Sequence, residues 1–168
     1  RFVNPRAAKW PKADYIVGNP PFIGDKAMRE RLGEGYLEAL FSTTKVPESA
    51  DFVMHWWDKA ASETAVGRVK QFGFITTNSL PQKFNRRVLE MHMQSKQRVS
   101  LVFAIPNHPW VDEAHGASVR ISMTVARKGD VLGTLMNVTD ESDAPDIIQF
   151  RTRVGNIHSD LTIGAAVV

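Results

Sequence analysis

Hydrophobic positions along the chain form two alternating kinds of pattern. Short runs rich in β-branched and aromatic residues are typical of buried strands, whereas apolar residues every three or four positions are typical of helices. The strand-like runs are residues 14–18, 69–77, 99–105, 117–127 and 131–138. The helix-like stretches are residues 25–41, 50–64 and 85–96. This alternation predicts an α/β domain.

Polar residues and prolines follow the first two strand-like runs. The first run ends at Asn19-Pro20-Pro21-Phe22, because a proline cannot donate a hydrogen bond to a neighbouring strand. The second run is followed by Asn78 and Ser79. In α/β sheets the loops at the carboxyl ends of strands form the ligand crevice, so both loops are candidate parts of a site. For Asn78 and Ser79, a capping role before the next helix is an equal alternative.

The Asn-Pro-Pro-Phe run suits chemistry on an exocyclic amine. Such an amine is a weak nucleophile because its lone pair is delocalised into the ring, and two hydrogen-bond acceptors favour a more tetrahedral nitrogen. The side-chain oxygen of Asn19 and the carbonyl of Pro20 are two such acceptors, on a backbone that Pro20 and Pro21 restrict. Phe22 offers a ring on which a base can stack. The alternative is that the run is only a stiff turn.

Composition narrows the range of functions. The chain of 168 residues is 43% hydrophobic, which suits a single globular domain. It contains no cysteine, which excludes disulfides, thiolate metal sites and the thiolate nucleophile needed to methylate cytosine at C5. A net charge of +3 permits a polyanionic partner without indicating one. We expect a cytoplasmic protein with no membrane span.

Two other groups of residues are interpreted more simply. His108, Asp112, Glu113 and His115 have the composition of a metal site, but their spacing matches no standard zinc motif, so no metal is predicted. Trp56 and Trp57 lie on a helix-like stretch whose apolar face needs bulky residues, which favours core packing over a cofactor stack.

The segment from Asp14 to Phe22 resembles the catalytic motif of amino-directed DNA methyltransferases. The stretches 18–24 and 49–57 most resemble the methylase region of fused type II restriction-modification enzymes and related phage-defence methylases. The resemblance covers roughly residues 10–128. It implies methyl transfer from S-adenosylmethionine to adenine N6 in double-stranded DNA.

The resemblance also implies roles for particular residues and a particular sheet. Asn19, Pro20, Pro21 and Phe22 would be the catalytic residues, with Phe22, Asn78 and Ser79 around the base. The fold would be Rossmann-like, with full strand order 3-2-1-4-5-7-6 and strand 7 antiparallel. This chain would supply only the C-terminal half of that sheet, strands 4-5-7-6.

The chain departs from the family at the cofactor site. Family members carry a Phe-x-Gly-x-Gly loop upstream that holds the cofactor, and neither this loop nor the acidic residue one strand later is present here. The cofactor-binding residues are therefore unknown. We expect an excised, inactive fragment that binds S-adenosylmethionine weakly or not at all. Strand 14–18 would expose an edge, which predicts a homodimer through that edge or partial disorder.

The sequence leaves other organisations and functions open. Residues 1–139 are predicted to form the methyltransferase fragment, and residues 140–168 a linker leading toward a target-recognition region. A protein-glutamine or RNA N-methyltransferase is an alternative, because those families use a similar Asn-Pro-Pro motif. A non-catalytic nucleic-acid-binding module that keeps the fold is a third possibility.

Overall fold

A computed structural model describes residues 2–111, 118–141 and 148–164. Within these residues the chain forms one mixed sheet and four helices. The strands are β1 (Tyr15–Gly18), β2 (Gln71–Thr77), β3 (Val99–Val111), β4 (Ser118–Lys128), β5 (Gly133–Glu141) and β6 (Ile148–Gly155). The helices are α1 (Asp25–Leu32), α2 (Glu34–Phe41), α3 (Met54–Ala65) and α4 (Lys83–Met93).

The order of strands across the sheet is β1-β2-β4-β3-β5-β6. β1 and β2 are parallel, whereas β4 runs antiparallel to both of its neighbours, β2 and β3. The first four strands therefore have the predicted arrangement, in which the last strand in sequence inserts antiparallel between its two predecessors. The α/β class and the methyltransferase-like strand order are both confirmed.

Alternating burial explains β2 and its place inside the sheet. Phe72, Phe74 and Thr76 are buried on one face, and the intervening side chains are half-buried. β1 is only four residues long because Asn19-Pro20-Pro21 follows it. β1 lies at the end of the sheet, and no described strand pairs with its other edge. Tyr15 and Val17 are exposed there, and the dimer expected through this edge stays a prediction.

Three local details differ from the sequence predictions. The stretch 25–41 forms two helices instead of one, because Gly33 has a φ of +80° that ends α1 before α2 begins. Residues 106–111 lie beyond the predicted strand 99–105, and they extend β3 past a register shift between Ile105 and His108. β6 lies within the segment predicted as a linker and pairs with β5. The domain division at residue 139 stays a prediction.

A close backbone approach attaches β5 to the sheet. A Cβ placed on Gly133 would lie 2.2 Å from the carbonyl oxygen of Leu101, closer than any real contact. The position therefore requires glycine. β3 and β5 pair over Phe103–Thr134 and Ala104–Leu135. Gly133 is the first residue of β5 and lies directly before this pairing, where the two backbones are closest.

The buried side chains form two clusters. The main core lies where α3 and α4 pack on the sheet, and it includes Trp57, Phe72, Phe74, Leu80 and Leu89. Trp57 is fully buried, which agrees with the packing role expected for it. A satellite core of Met28, Leu37 and Phe52 lies among α1, α2 and the start of α3, with Ile23 and Phe41 packed against it.

Candidate active site

The loop after β1, residues 19–24, presents one polar side chain to solvent. Asn19 is exposed, Pro20 is buried directly after it, and Phe22 is half-buried. No hydrogen bond to the Asn19 side chain occurs within the described part of the chain. The amide of Asn19 is thus available to a ligand. Pro20 and Pro21 restrict the backbone that follows it, and the buried Pro20 fixes that backbone to the protein.

The far end of the β1 loop is attached to two helices. The backbone N–H of Phe52 donates to the carbonyl of Ile23 at 2.9 Å. Gly24 caps α1, and its carbonyl accepts from the backbone N–H of Ala27 at 3.0 Å. Ile23 packs against the satellite core. Residues 19–22 therefore lie between a strand end and a fixed point at residues 23–24.

The loop after β2, residues 78–82, lies at the same edge of the sheet, because β1 and β2 are parallel. Its first two polar side chains, Asn78 and Ser79, bond within the protein. Asn78 Nδ2 donates to Asn107 Oδ1 at 3.3 Å, and Ser79 Oγ donates to Asp51 Oδ2 at 2.6 Å. The backbone N–H of Asn78 also donates to the carbonyl of Arg120 at 3.3 Å.

Two residues that the sequence predictions missed complete the polar cluster at this edge. Asn85, near the start of α4, is only 4% exposed and donates from Nδ2 to Asp51 Oδ2 at 2.8 Å. Asn85 Oδ1 accepts from the backbone N–H of Asp51, also at 2.8 Å. These partners are 34 residues apart in sequence, so no local spacing could indicate them.

A cleft of about 1160 Å³ runs along the free edge of β1. Its walls are the segment before β1, the β1 loop as far as Pro21, and α3 residues that include Trp56, Lys59 and Glu63. Asp14 lies at the end of β1 opposite to Asn19 and pairs with Lys70 at 3.0 Å. The bond to Asp14 raises the pKa of Lys70. The cleft therefore adjoins the Asn19 amide, whereas its acidic group Asp14 is remote and paired.

The histidines do not form a metal site in the described ranges. No group of three His, Asp or Glu side chains there could hold an ion. The ring of His108 stacks on Phe150 with centroids 5.9 Å apart. Asp112, Glu113 and His115 lie outside the described residues. His92 pairs with Asp58 at 2.7 Å, which links α4 to α3.

His55 is a half-buried histidine on the satellite-core side of α3, and both of its ring nitrogens are shielded from solvent. Its ring lies 5.9 Å from Phe52 and 6.2 Å from Phe41, measured between centroids. Neither ring nitrogen has a hydrogen-bond partner among the described residues. Burial lowers the pKa of His55 to about 4, against a smaller opposing effect of Asp58.

The sheet order and the Asn-Pro-Pro-Phe loop at the end of β1 together define a Rossmann-like methyltransferase. Comparison with known families narrows the class. Residues 2–131 match the family described as "MmeI, DNA-methyltransferase domain", and the chain belongs to this family. The resemblance to the methylase region of restriction-modification enzymes is thereby confirmed.

Two solved structures share the fold. The type IIL restriction-modification enzyme MmeI, solved in complex with DNA, has 23% sequence identity and a TM-score of 0.67 over 92% of this chain. A modification subunit of a putative type I restriction enzyme from Vibrio vulnificus YJ016 has 13% identity and a TM-score of 0.54 over 79% of this chain. The chain covers 20% of the first structure's chain and 26% of the second.

A search of curated proteins gave no match. In residues 2–111, 118–141 and 148–164, no helix has the length and apolar character needed to cross a bilayer.

Proposed function

We propose that this chain carries the amine-binding corner of a DNA methyltransferase that transfers a methyl group from S-adenosylmethionine to adenine N6. The full-length protein would act on double-stranded DNA within a restriction-modification or phage-defence system. Membership of a DNA-methyltransferase domain family supports DNA over a protein glutamine or an RNA as the substrate.

The observation that carries the proposal is the exposed, unpartnered amide of Asn19 on a rigid loop. Its side-chain oxygen would accept one hydrogen of the adenine amine, and the backbone carbonyl of Pro20 would accept the other. Two acceptors increase electron density on the nitrogen as the methyl group arrives, and no covalent intermediate is required. Because Pro20 is buried and Pro21 restricts it, little backbone freedom is lost when the base binds.

Phe22 is assigned to the base itself. The half-buried residue follows the two prolines directly, three positions after Asn19. Stacking on an aromatic ring stabilises an unstacked base by about 1–3 kcal/mol. Asn78 and Ser79, at the end of the adjacent strand, are proposed to border the same base.

The described residues do not by themselves fit the whole cofactor. S-adenosylmethionine has a sulfonium, an amino-acid end and a ribose, and it needs close backbone contact and a carboxylate for the ribose hydroxyls. The sequence has no Phe-x-Gly-x-Gly loop, and its one Gly-x-Gly triplet, at residues 33–35, lies at the junction of α1 and α2. Asp14 is at the end of β1 away from Asn19 and is bonded to Lys70. The chain thus supplies the acceptor side of the reaction, and alone it is expected to bind the cofactor weakly or not at all.

The decisive variant is Asn19→Ala in the full-length protein. Loss of one transition-state hydrogen bond should lower kcat for transfer of a labelled methyl group to DNA by about 100- to 1000-fold. Binding of the same duplex, measured by fluorescence anisotropy, should be unchanged. Asn156→Ala is the matched control, because Asn156 is an exposed asparagine just beyond β6, and it should leave kcat unchanged.

Three outcomes would contradict the proposal. The first is methylation that survives Asn19→Ala. The second is methylation of a protein or RNA by the unmodified protein, with none of DNA. The third is a methylated product at a base atom other than adenine N6, identified by mass spectrometry of the digested DNA.

A further inference from the structure

The carboxylate of Asp51 lies between the β1 loop and the β2 loop, at the carboxyl ends of β1 and β2. Asp51 precedes α3 and is half-buried. Its Oδ2 accepts hydrogen bonds from Ser79 Oγ at 2.6 Å and from Asn85 Nδ2 at 2.8 Å. Ser79 follows β2 and Asn85 lies on α4. Asp51 therefore holds the β2 loop and α4 together from a segment that belongs to neither.

The hydrogen bonds around Asp51 are compatible with only one orientation of the Asn85 amide. Asn85 Oδ1 accepts from the Asp51 backbone N–H while Asn85 Nδ2 donates to Asp51 Oδ2, the carbonyl of Ser79 and Ser79 Oγ. Flipping the Asn85 amide would put donor against donor at the Asp51 backbone. Because Asn85 is almost fully buried, unmade bonds there are costly, and the cluster is therefore rigid.

This rigid cluster reaches the β1 loop through the next residue. The backbone N–H of Phe52 donates to the carbonyl of Ile23, one residue after Phe22. The Asp51 carboxylate also lies beside Gly24, since a Cβ on that glycine would be 3.6 Å from Asp51 Oδ1. The backbone bond of Phe52 therefore joins the segment that carries Asp51 to the end of the Asn19 loop.

We propose that Asp51 is a positioning residue for methyl transfer. Through Phe52 it fixes the β1 loop, and through Ser79 and Asn85 it fixes that loop relative to the end of β2. It acts through the loops and does not contact the substrate. The role of Asp51 in methyl transfer rests on the proposed function. Its role in holding the β1 loop concerns the loop geometry alone.

The catalytic test is Asp51→Ala in the full-length protein. Misplacement of a catalytic group by about 1 Å can cost about 100-fold in rate, so kcat for DNA methylation should fall by about 10- to 100-fold. KM for DNA should change by less than about twofold, because ground-state contacts stay intact. In Asp51→Asn the side-chain oxygen can take the place of Oδ2, so this conservative variant should restore most of kcat.

Asp58→Ala is the matched control. Asp58 also links α3 to α4, through His92 at 2.7 Å, but neither side chain has a hydrogen bond or ion pair to either loop among the described residues. The variant should cost stability while leaving kcat and KM unchanged. Equal losses of kcat in Asp58→Ala and Asp51→Ala would overturn the proposal, and so would an Asp51→Asn variant as slow as Asp51→Ala.

A second measurement decides the proposal independently of any activity. Amide hydrogen exchange in the absence of DNA reports the Phe52 N–H bond to Ile23, and in Asp51→Ala its exchange should accelerate by about tenfold or more. Amides in the middle of β2 should keep their protection. If Asp51→Ala does not fold, Ser79→Ala removes one donor to Asp51 and should show a smaller acceleration at Phe52.

Unchanged exchange at Phe52 in these variants would overturn the positioning role. If the unmodified protein fails to methylate adenine, the proposed function fails, and the exchange rate at Phe52 still decides whether Asp51 holds the loop.

Discussion

The loops after β1 and β2 occupy equivalent places, at the carboxyl ends of adjacent parallel strands, but their polar side chains are in opposite states. Asn19 is exposed and has no hydrogen-bond partner in the described structure. Asn78 bonds to Asn107, and Ser79 bonds to Asp51. A side chain that is already bonded must give up about 0.5–1.5 kcal/mol to bind something else. Topology alone therefore makes both loops candidate parts of the site, whereas hydrogen bonding shows that, of these three side chains, only that of Asn19 is free to bind a ligand.

The two loops also rest on different cores. Ile23 packs against the satellite core of Met28, Leu37 and Phe52. Leu80, in the β2 loop, is fully buried in the main core beneath the sheet. The smaller cluster has fewer buried contacts to lose, so the β1 loop should be the easier of the two to loosen. The following variants and conditions test that difference.

The largest difference should come from the aromatic residues on the two sides, Phe22 within the β1 loop and Phe84 just after the β2 loop. Phe22→Ala should lower kcat/KM for DNA by about 10- to 100-fold, because a stacking contact of about 1–3 kcal/mol is lost. Phe22→Trp should lose much less, because a larger ring can still stack. Steady-state methylation of a single-site duplex measures both variants.

Phe84→Ala is the comparison for the β2 side. Phe84 is 40% exposed near the start of α4, where the cations of Lys83 and Arg87 lie within 6 Å of its ring. Its removal should leave kcat/KM unchanged. Equal losses for Phe22→Ala and Phe22→Trp would argue against stacking.

A smaller effect is expected from the prolines. Pro21 is exposed, so Pro21→Ala removes little packing but frees the backbone of Pro20, whose carbonyl is the second proposed acceptor. We expect kcat to fall by about threefold to tenfold, and the free energy of unfolding by about 0.4–1 kcal/mol. Pro81→Ala in the β2 loop should show a similar stability change with no change in kcat. A loss of kcat in both variants would mean that the two loops contribute alike.

The smallest effect on catalysis should come from mild acidification, which acts through His55 on stability alone. Burial lowers its native pKa to about 4 from an ordinary value of 6.5. Between these values the unfolded chain binds more protons than the native state, so the free energy of unfolding decreases as the pH falls from 6.5 toward 4. The slope from this one group is at most about 1.4 kcal/mol per pH unit, and above pH 6.5 the contribution vanishes.

Urea unfolding at pH 7 and pH 5 measures this loss, and His55→Phe should reduce it, since a phenyl ring does not titrate. Hydrogen exchange at pH 5 should increase in α1 and α2 before it increases in β2. An identical pH dependence in the His55→Phe protein would show that His55 is not the group responsible.

Much of the fold could be predicted because its signals are local. The hydrophobic periods located β1, β2, β4 and α4 to within a few residues, and the family resemblance supplied the order of the first four strands. The predictions failed where one residue or a distant contact decided the structure. Gly33 splits the predicted 25–41 helix by its positive φ, and β6 exists because it pairs with β5, which no local pattern in a polar segment indicates.

The sequence by itself determined that an asparagine amide and two prolines follow a strand, because proline acts on its own backbone and on the residue before it. It also determined the absence of a thiolate nucleophile. Only the tertiary structure decided which polar groups at the sheet edge are free and which are bonded. Asp51 meets Ser79 across 28 residues and Asn85 across 34, and such contacts form only when the strands and helices have packed.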